Sequence, residues 1–310
     1  MSKTMLRLTL VVTITTVFCG WAAGPLPADE KPETKAHDAV KIMSFNIRMS
    51  LANDGPDSWS KRRELVADTI RRYAPDFLGT QEAMADQVAF LRKKLPQYGS
   101  LAVFREKIPL LGEACALFYR RDRWQLDPQQ QGTFWLSETP EVRGSKSWKT
   151  ACTRIVTWGR FIEKVDGGGE KSKPRVVYVY NTHFDHKSKL AREKSAEMIA
   201  RRIAERQHKD PVVLMGDLNA GESSRPIEYL TGRIAGSPLK LVDTFRALHP
   251  EAENMGTFCA FKGETSGAKI DYIFVLPETK VLAAEIVRDN RDGRYPSDHF
   301  PVTASVNFER

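Results

Sequence analysis

Ten polar side chains fall at the ends of strand-like runs: Asn46, Glu82, Asn181, His183, Asp185, Asp217, Asn219, Asp271, Asp298 and His299. Together they offer hard oxygen donors, imidazoles and carboxamides, and no thiolate. That donor set suits magnesium, manganese or calcium better than structural zinc. Hydrolysis at phosphorus needs negative charge neutralised, a water deprotonated and a leaving oxygen stabilised. Each task has a candidate here. The clearest is Gly216-Asp217-Leu218-Asn219. On an extended chain, residues two apart point the same way, so a carboxylate and a carboxamide leave one strand side by side. The carboxylate can take a proton from water or hold a cation. The carboxamide can donate to an anionic oxygen without carrying charge. Taken singly, each of these residues reads as a strand-end turn or a surface group.

The elements that must position these groups follow from apolar periodicity. Residues 212–215 are a short continuous apolar run, as expected of a strand covered on both faces. Residues 40–47 alternate as a strand that delivers Asn46, and residues 76–80 form another with Glu82 just beyond its tip. Further strands are expected at 114–120, 154–163 and 175–184. The last ends in Asn181-Thr182-His183-Phe184-Asp185-His186, with Asn181, His183 and Asp185 on one face. Residues 269–276 set Asp271 among large apolar side chains, where a carboxylate needs a partner. Asp298-His299 is an acid–imidazole pair delivered by a turn before the final strand. Helices are expected at 61–73, closed by Pro75, at 84–95 and at 188–207. The third should turn Leu190, Met198, Ile199 and Ile203 inward. Strand tips along one edge of packed sheets converge, and ligands bind there.

The N-terminal residues are read as an address, not as fold. Lys3 and Arg7 precede an apolar stretch at 8–18, and small residues follow at Gly20, Ala22, Ala23 and Gly24. This is the pattern of a secretory signal peptide over 1–24, too short for a comfortable membrane span. The expectation is a secreted or periplasmic protein. Bulky Phe18 before Cys19 argues against a lipid anchor there. Residues 25–39 are rich in Pro, Asp, Glu and Lys and read as a disordered linker. One domain is expected over 40–310. Of four cysteines, Cys19 leaves with the leader. The odd remainder, Cys115, Cys152 and Cys259, is no disulfide framework and fits no zinc spacing. The net charge of +8 loses two with the leader, and the rest lies largely on helix faces such as Lys61-Arg62-Arg63. Solvated helix surface is the preferred reading, with attraction of polyanions the other.

Several chemistries are excluded or left without support. There is no Gly-x-Ser-x-Gly elbow and no His-Glu-x-x-His. Gly167-Gly168-Gly169 reads as a hairpin or a disordered tip and not as a phosphate loop, since no Gly-Lys-Ser/Thr follows. A glycosidase carboxylate pair would leave both histidines and three asparagines without a task. Phe134, Trp135 and Trp148 fall in a stretch read as a long loop, and Trp59 ends the polar loop 48–60. Such aromatics either form a small satellite core or line a substrate cleft. The substrate-facing set carried forward is Trp59, Trp135, Asn181, Asp185 and His186.

In chain order, Asn46, Gln81-Glu82, Asn181-Thr182-His183, Gly216-Asp217-Leu218-Asn219, Ile270-Asp271-Tyr272 and Ser297-Asp298-His299 resemble the endonuclease/exonuclease/phosphatase superfamily. The resemblance covers residue 40 to the C-terminus. It implies an α/β four-layer sandwich of two packed mixed β-sheets flanked by helices, with the site at one edge. It also implies roles. Glu82 would hold a magnesium ion (manganese or calcium serving as well), supported by Asn46 and Asp298. Asp217 would activate water, Asn219 and His183 would contact the phosphate, and His299, oriented by Asp271, would bind phosphate or move a proton. The stretches 133–140, Arg154-Ile155-Val156-Thr157-Trp158 and His183-Phe184-Asp185-His186 resemble an often exported bacterial branch. Arg48 stands where some nuclease branches carry an acid, and no long basic insertion for gripping duplex DNA is evident. The resemblance therefore implies a monomeric, metal-dependent phosphoesterase, with a phosphodiester first. A phosphomonoesterase on sugar or inositol phosphates, a nuclease acting on nucleic acid, and a non-catalytic binding module are the alternatives.

Overall fold

The computed structural model describes residues 39–165 and 173–308. The leader reading at 1–24, the linker at 25–39 apart from Ala39, and Gly167-Gly168-Gly169 lie outside them. The chain opens with β1 (Val40–Asn46), α1 (Trp59–Tyr73), β2 (Phe77–Ala83), α2 (Ala85–Lys94), β3 (Tyr98–Leu101) and β4 (Ala114–Arg120). Next come β5 (Trp124–Trp135), β6 (Ile155–Glu163), β7 (Val176–His183), α3 (Lys189–Ala204) and β8 (Val212–Asp217). The remainder is α4 (Arg225–Leu230), β9 (Val242–Asp243), α5 (Thr244–Leu248), β10 (Asp271–Val275), β11 (Lys280–Ile286) and β12 (Val302–Asn307).

Two six-stranded sheets result, ordered β11-β12-β1-β2-β4-β3 and β5-β6-β7-β8-β10-β9. Each holds one parallel pair bridged by a helix, β1-α1-β2 in the first sheet and β7-α3-β8 in the second. All other strand pairs are antiparallel. A parallel connection needs a crossover long enough to return over the sheet, and the helix both returns the chain and covers the outer face.

The apolar residues sort by strand period. Ile42, Phe77, Leu117, Val179, Val213 and Ile273 pack into one buried cluster. Their neighbours Met43, Leu78 and Phe118 join α1 and α2 in a second. Tyr178, Tyr180, Leu214 and Phe274 join α3 and α4 in a third. Alternate side chains thus fill the inter-sheet core and the two outer helix–sheet cores. This is the four-layer arrangement expected from the sequence, and it explains why strands such as 212–215 are apolar at every position.

Some local expectations shift. Phe134 and Trp135 belong to the end of β5, not to a loop, and both are buried. Leu190 is 47% exposed instead of inward. The buried face of α3 is Ala191, Ser195, Ala196, Ile199, Ala200 and Ile203, and Leu190 lies out of phase with it, turned to solvent. All three described cysteines are free, and Cys152 lies in the loop before β6 with only partial burial. Among the described residues no helix is long and apolar enough to cross a membrane.

Candidate active site

Strand register assembles the site. Within the second sheet, His183 of β7 is paired with Asp217 of β8, and Asp217 with Asp271 of β10. One row across three neighbouring strands therefore carries an imidazole and two carboxylates. All three sit on the inward-facing phase of their strands, at the edge where the apolar filling stops. Gly216 makes this row possible. Its φ is +152°, and a Cβ there would come within 2.0 Å of the Thr182 carbonyl oxygen. Only glycine lets β7 and β8 close up at this point.

The first sheet supplies the facing half. Asn46 ends β1, and Ser297-Asp298-His299 arrives just before β12. Glu82 reaches the site by a different route. The pairing of β2 with β4 is irregular between Thr80 and Ala83, and Glu82 has a φ of +58°. A bulge with a left-handed residue re-aims a side chain that plain alternation would send to the other face. Arg62 of α1 ties the loops down. Its buried guanidinium donates to the carbonyls of Ile47 (2.6 Å), Arg48 (2.8 Å) and Pro296 (3.0 Å).

Hydrogen bonds lock the groups together. Asn46 Nδ2 donates to Glu82 Oε1 at 3.2 Å and to Asp217 Oδ2 at 3.0 Å. The Asn219 peptide N–H donates to Asp217 Oδ1 at 2.9 Å. Asn219 Nδ2 donates to the Phe184 carbonyl at 3.1 Å and lies 3.0 Å from His183 Nε2. His299 Nδ1 lies 2.9 Å from Asp271 Oδ2, and its Nε2 lies 3.8 Å from Asp217 Oδ2. The cleft they line has a volume of about 650 Å³ and also includes Arg48, Glu113, Cys152, Arg154, His186 and Phe258.

The two histidines are driven to opposite charge states. Burial, reinforced by Arg154 and Arg105, pushes His183 well below the ordinary imidazole value. His299 is equally buried, but the Asp271 and Asp217 carboxylates outweigh that cost and raise it to about 10. Burial and the neighbouring Asp271 raise Asp217 to about 7. Titratable neighbours pushed apart in this way mark acid–base chemistry.

Two places suit a cation. Asp217, Asp271 and His299 bring three ligand atoms within 4.8 Å of one another. However, the two carboxylates already hold a His299 whose proton affinity they raise to about 10, and its charge opposes a cation there. The rim formed by Glu82 and Asp298 is the better fit. The Arg48 guanidinium stands 4.0 Å from Glu82 and 3.6 Å from Asp298, so this pair of acids already attracts a positive charge. Carboxylate oxygens there are ligands for magnesium, manganese or calcium, whereas Asn46, expected as a supporting ligand, turns its Nδ2 to Glu82 and accepts at its Oδ1 from the Arg48 peptide N–H.

The structure brings Glu82, His183, Asp217, Asn219, Asp298, His299 and His186 to this cleft, with Asn46 and Asp271 fully buried behind it against Glu82, Asp217 and His299. It sets four others apart. Asn181 is fully buried beneath the site, where its Nδ2 donates to the Thr80 and Ala116 carbonyls of the other sheet and its Oδ1 accepts from Gln81. It bridges the sheets and cannot meet substrate. Trp59 packs edge-on against Phe90 in the outer core over the first sheet. Trp135 is buried beside Cys115 and Ile155, with its indole N–H on the Arg105 carbonyl. Asp185 is almost fully buried and accepts from the peptide N–H groups of Ala151, Cys152, Lys187 and Ser188, which braces the loop. The other aromatics of that region, Phe134 and Trp148, line a separate groove of about 770 Å³ against α3 that holds none of the site groups. Sequence reasoning passed over Glu113, Arg154 and the half-exposed Phe258, whose ring meets His299 edge-on at 5.2 Å. Arg154 did stand in a recognisable motif, Arg154-Ile155-Val156-Thr157-Trp158, but nothing local marked it as facing the cleft.

Two packed mixed sheets with paired carboxylates, an Asp–His dyad and amide-fixed side chains along one shared edge define a hydrolase acting on phosphate esters. The chain belongs to the Endonuclease/Exonuclease/phosphatase family, whose model matches residues 43–299. Among solved structures it is similar to an endonuclease/exonuclease/phosphatase from Bacteroides vulgatus. That match has 31% identity and a TM-score of 0.76, covering 87% of this chain and 99% of that one. A mannosyl-6-phosphatase from Bacteroides thetaiotaomicron matches at 30% identity with a TM-score of 0.74, over 87% of this chain and all of that one. Nocturnin of Mus musculus is 24% identical over 312 residues, which span 89% of this chain and 67% of that protein.

Proposed function

We propose that the protein is a divalent-metal-dependent phosphoesterase in which a water held at Asp217 attacks phosphorus. The observation that carries this reading is the row His183–Asp217–Asp271 closed by His299, with its two histidines held in opposite charge states. Asp217 is fixed at both oxygens by Asn46 and the Asn219 peptide, and its raised proton affinity suits a general base near neutral pH. His299, charged and oriented by Asp271, is the donor to the phosphoryl oxygen where negative charge builds. Neutral His183 lines the cleft beside Asp217 and Asn219, with its Nε2 3.3 Å from Asp217 Oδ2, and contacts the phosphoryl group or the leaving oxygen from that side. Glu82 and Asp298, with Asn46 positioning Glu82, would hold a divalent cation, which would supply neutralisation of the phosphoryl charge.

The sequence placed phosphodiesters first. The likeness to a mannosyl-6-phosphatase along that protein's whole length favours a terminal phosphate on a sugar-like alcohol, and this is the substrate class adopted. The leader-like residues 1–24 support action outside the cytoplasm. The test is turnover of p-nitrophenyl phosphate and bis-p-nitrophenyl phosphate with magnesium. Chelation should abolish it, and Asp217→Ala or His299→Ala should lower it by about 100-fold or more. Undiminished turnover in either variant removes the reading.

A further inference from the structure

Arg154 lies immediately before β6 on the cleft wall and is only 5% exposed. A guanidinium this deep is normally matched by acceptors. Here it is not. Nη2 lies 3.2 Å from His186 Nδ1. Nη1 stands 3.9 Å from Glu113 Oε2, beyond hydrogen-bond reach, and both Nη1 and Nε lack any hydrogen-bond partner. Glu113 does not meet the need, because the same oxygen is already taken by Arg105 Nη1 at 2.5 Å. Arg105 is paired with Glu113 at 2.5 Å and with Glu106 at 3.5 Å, so the guanidinium left without a close carboxylate is that of Arg154. The cleft wall is polarised, with carboxylates at Glu82, Asp298 and Asp217 and the under-partnered guanidinium at Arg154. His183 lies between the two regions, 3.3 Å from Asp217 and 4.0 Å from Glu113.

This asymmetry has a chemical reading that rests on the phosphoesterase proposal above. Near neutral pH a phosphate monoester carries close to two negative charges, since its second ionisation falls near pH 6. A diester carries one, and the corresponding oxygen bears an ester substituent. Glu82, Asp298 and His299 line one part of the cleft and Arg154 another, so a phosphoryl group bound against the first set would turn an oxygen towards Arg154. We propose that Arg154, steadied by His186, is the specificity-determining residue that receives the additional anionic oxygen of a terminal phosphate and so sets a preference for monoesters over diesters. For a diester the same place would set an alkyl group against a buried guanidinium with unmade hydrogen bonds, an unfavourable pairing.

The experiment compares kcat/KM for p-nitrophenyl phosphate and bis-p-nitrophenyl phosphate in the magnesium-loaded full chain and in Arg154→Gln and Arg154→Lys. The expected result is a fall in Arg154→Gln at least about tenfold larger for the monoester than for the diester, as loss of a charge-assisted hydrogen bond implies. Arg154→Lys should recover part of that difference, and competitive inhibition by inorganic phosphate should weaken in parallel with the monoester activity. Equal losses on both esters, or no loss on either, overturn the assignment. If Arg154→Gln fails to fold, a crystal of the unaltered protein with orthovanadate decides. A vanadate oxygen within about 3.2 Å of an Arg154 nitrogen supports the proposal, and vanadate bound in the cleft without that contact overturns it. An unaltered enzyme that cleaves only the diester defeats the monoester reading itself, whatever Arg154→Gln does.

Discussion

His299 directs its Nδ1 at the buried carboxylate of Asp271 at 2.9 Å, and that oxygen pair belongs to the strand next to the one carrying Asp217. The dyad orients the ring and keeps its proton. His299 works against its burial and is held up to about 10 by Asp271 and Asp217, so it stays charged through neutrality. Asp217 must lose its proton near 7 to act as a base. The expected kcat/KM profile therefore rises through about 7 and falls towards 10. Asp271→Asn removes one influence that raises His299 and one that raises Asp217, so both limbs should move to lower pH and the maximum should drop about 100-fold. A pH–rate profile measures both, and an alkaline limb that stays in place would refute the role given to Asp271. The His299 proton also stabilises the fold. That contribution is complete below the ordinary imidazole value and is lost as pH rises through about 10.

Glu82 and Asp298 should bind a divalent cation whether or not substrate is present. Adding magnesium to chelator-treated protein stabilises the native state by about 2.7 kcal/mol when the ion reaches 100 times its dissociation constant. Thermal unfolding should show this in the unaltered protein, and Glu82→Gln should shift the response to higher magnesium. An identical magnesium response in the two proteins would remove Glu82 from the metal site.

Asn181 should matter for stability and not for recognition. Asn181→Ala removes three buried hydrogen bonds, to the Thr80 and Ala116 carbonyls and from the Gln81 amide, and with them the polar link between the sheets. The expected cost is about 2–4 kcal/mol in urea unfolding. KM should remain unchanged, because the residue never reaches the cleft. A change in KM with unaltered stability would restore the reading that the structure overturned.

Asp185 gives a stability signal with a definite sign. Burial works against its charge, but the peptide N–H groups it accepts outweigh burial and pull its carboxyl down to about 2. Its contribution is present above the ordinary carboxylate value and is lost as pH falls through about 2. Asp185→Asn should cost about 1–2 kcal/mol at neutral pH, with the difference from the unaltered protein closing in acid. Chemical denaturation at several pH values tests it, and a difference that is constant with pH would contradict it.

How much was legible in advance differed by residue. Apolar runs located the strands because both faces of each central strand are covered, and Asn46, His183, Asp217 and Asp271 followed since each continues the inward phase of its strand. Glu82 sits off that phase and reaches the cleft only through a bulge, which no local pattern announces. The same phase misled at Asn181. It faces inward like His183 but lies one step deeper, where the opposing sheet claims its amide. Gly79 marks that close approach, because a Cβ there would fall 2.7 Å from the Asn181 carboxamide. Trp59 sits among polar neighbours along the chain and Trp135 ends a short apolar run in a largely polar stretch, yet both pack into cores formed by distant segments. Arg154 was invisible as a functional group because its significance lies in partners it lacks, and that is a property of the folded surroundings alone.

The seam between the sheets is also the seam of the chemistry. Asn46, Glu82, Asp298 and His299 arrive on one sheet, and His183, Asp217, Asn219 and Asp271 on the other. Neither slab carries a working half-reaction, so the reactive geometry exists only while the two are in alignment. The way two broad greasy faces slide and seat against each other, far below the cleft, therefore sets the distances within it.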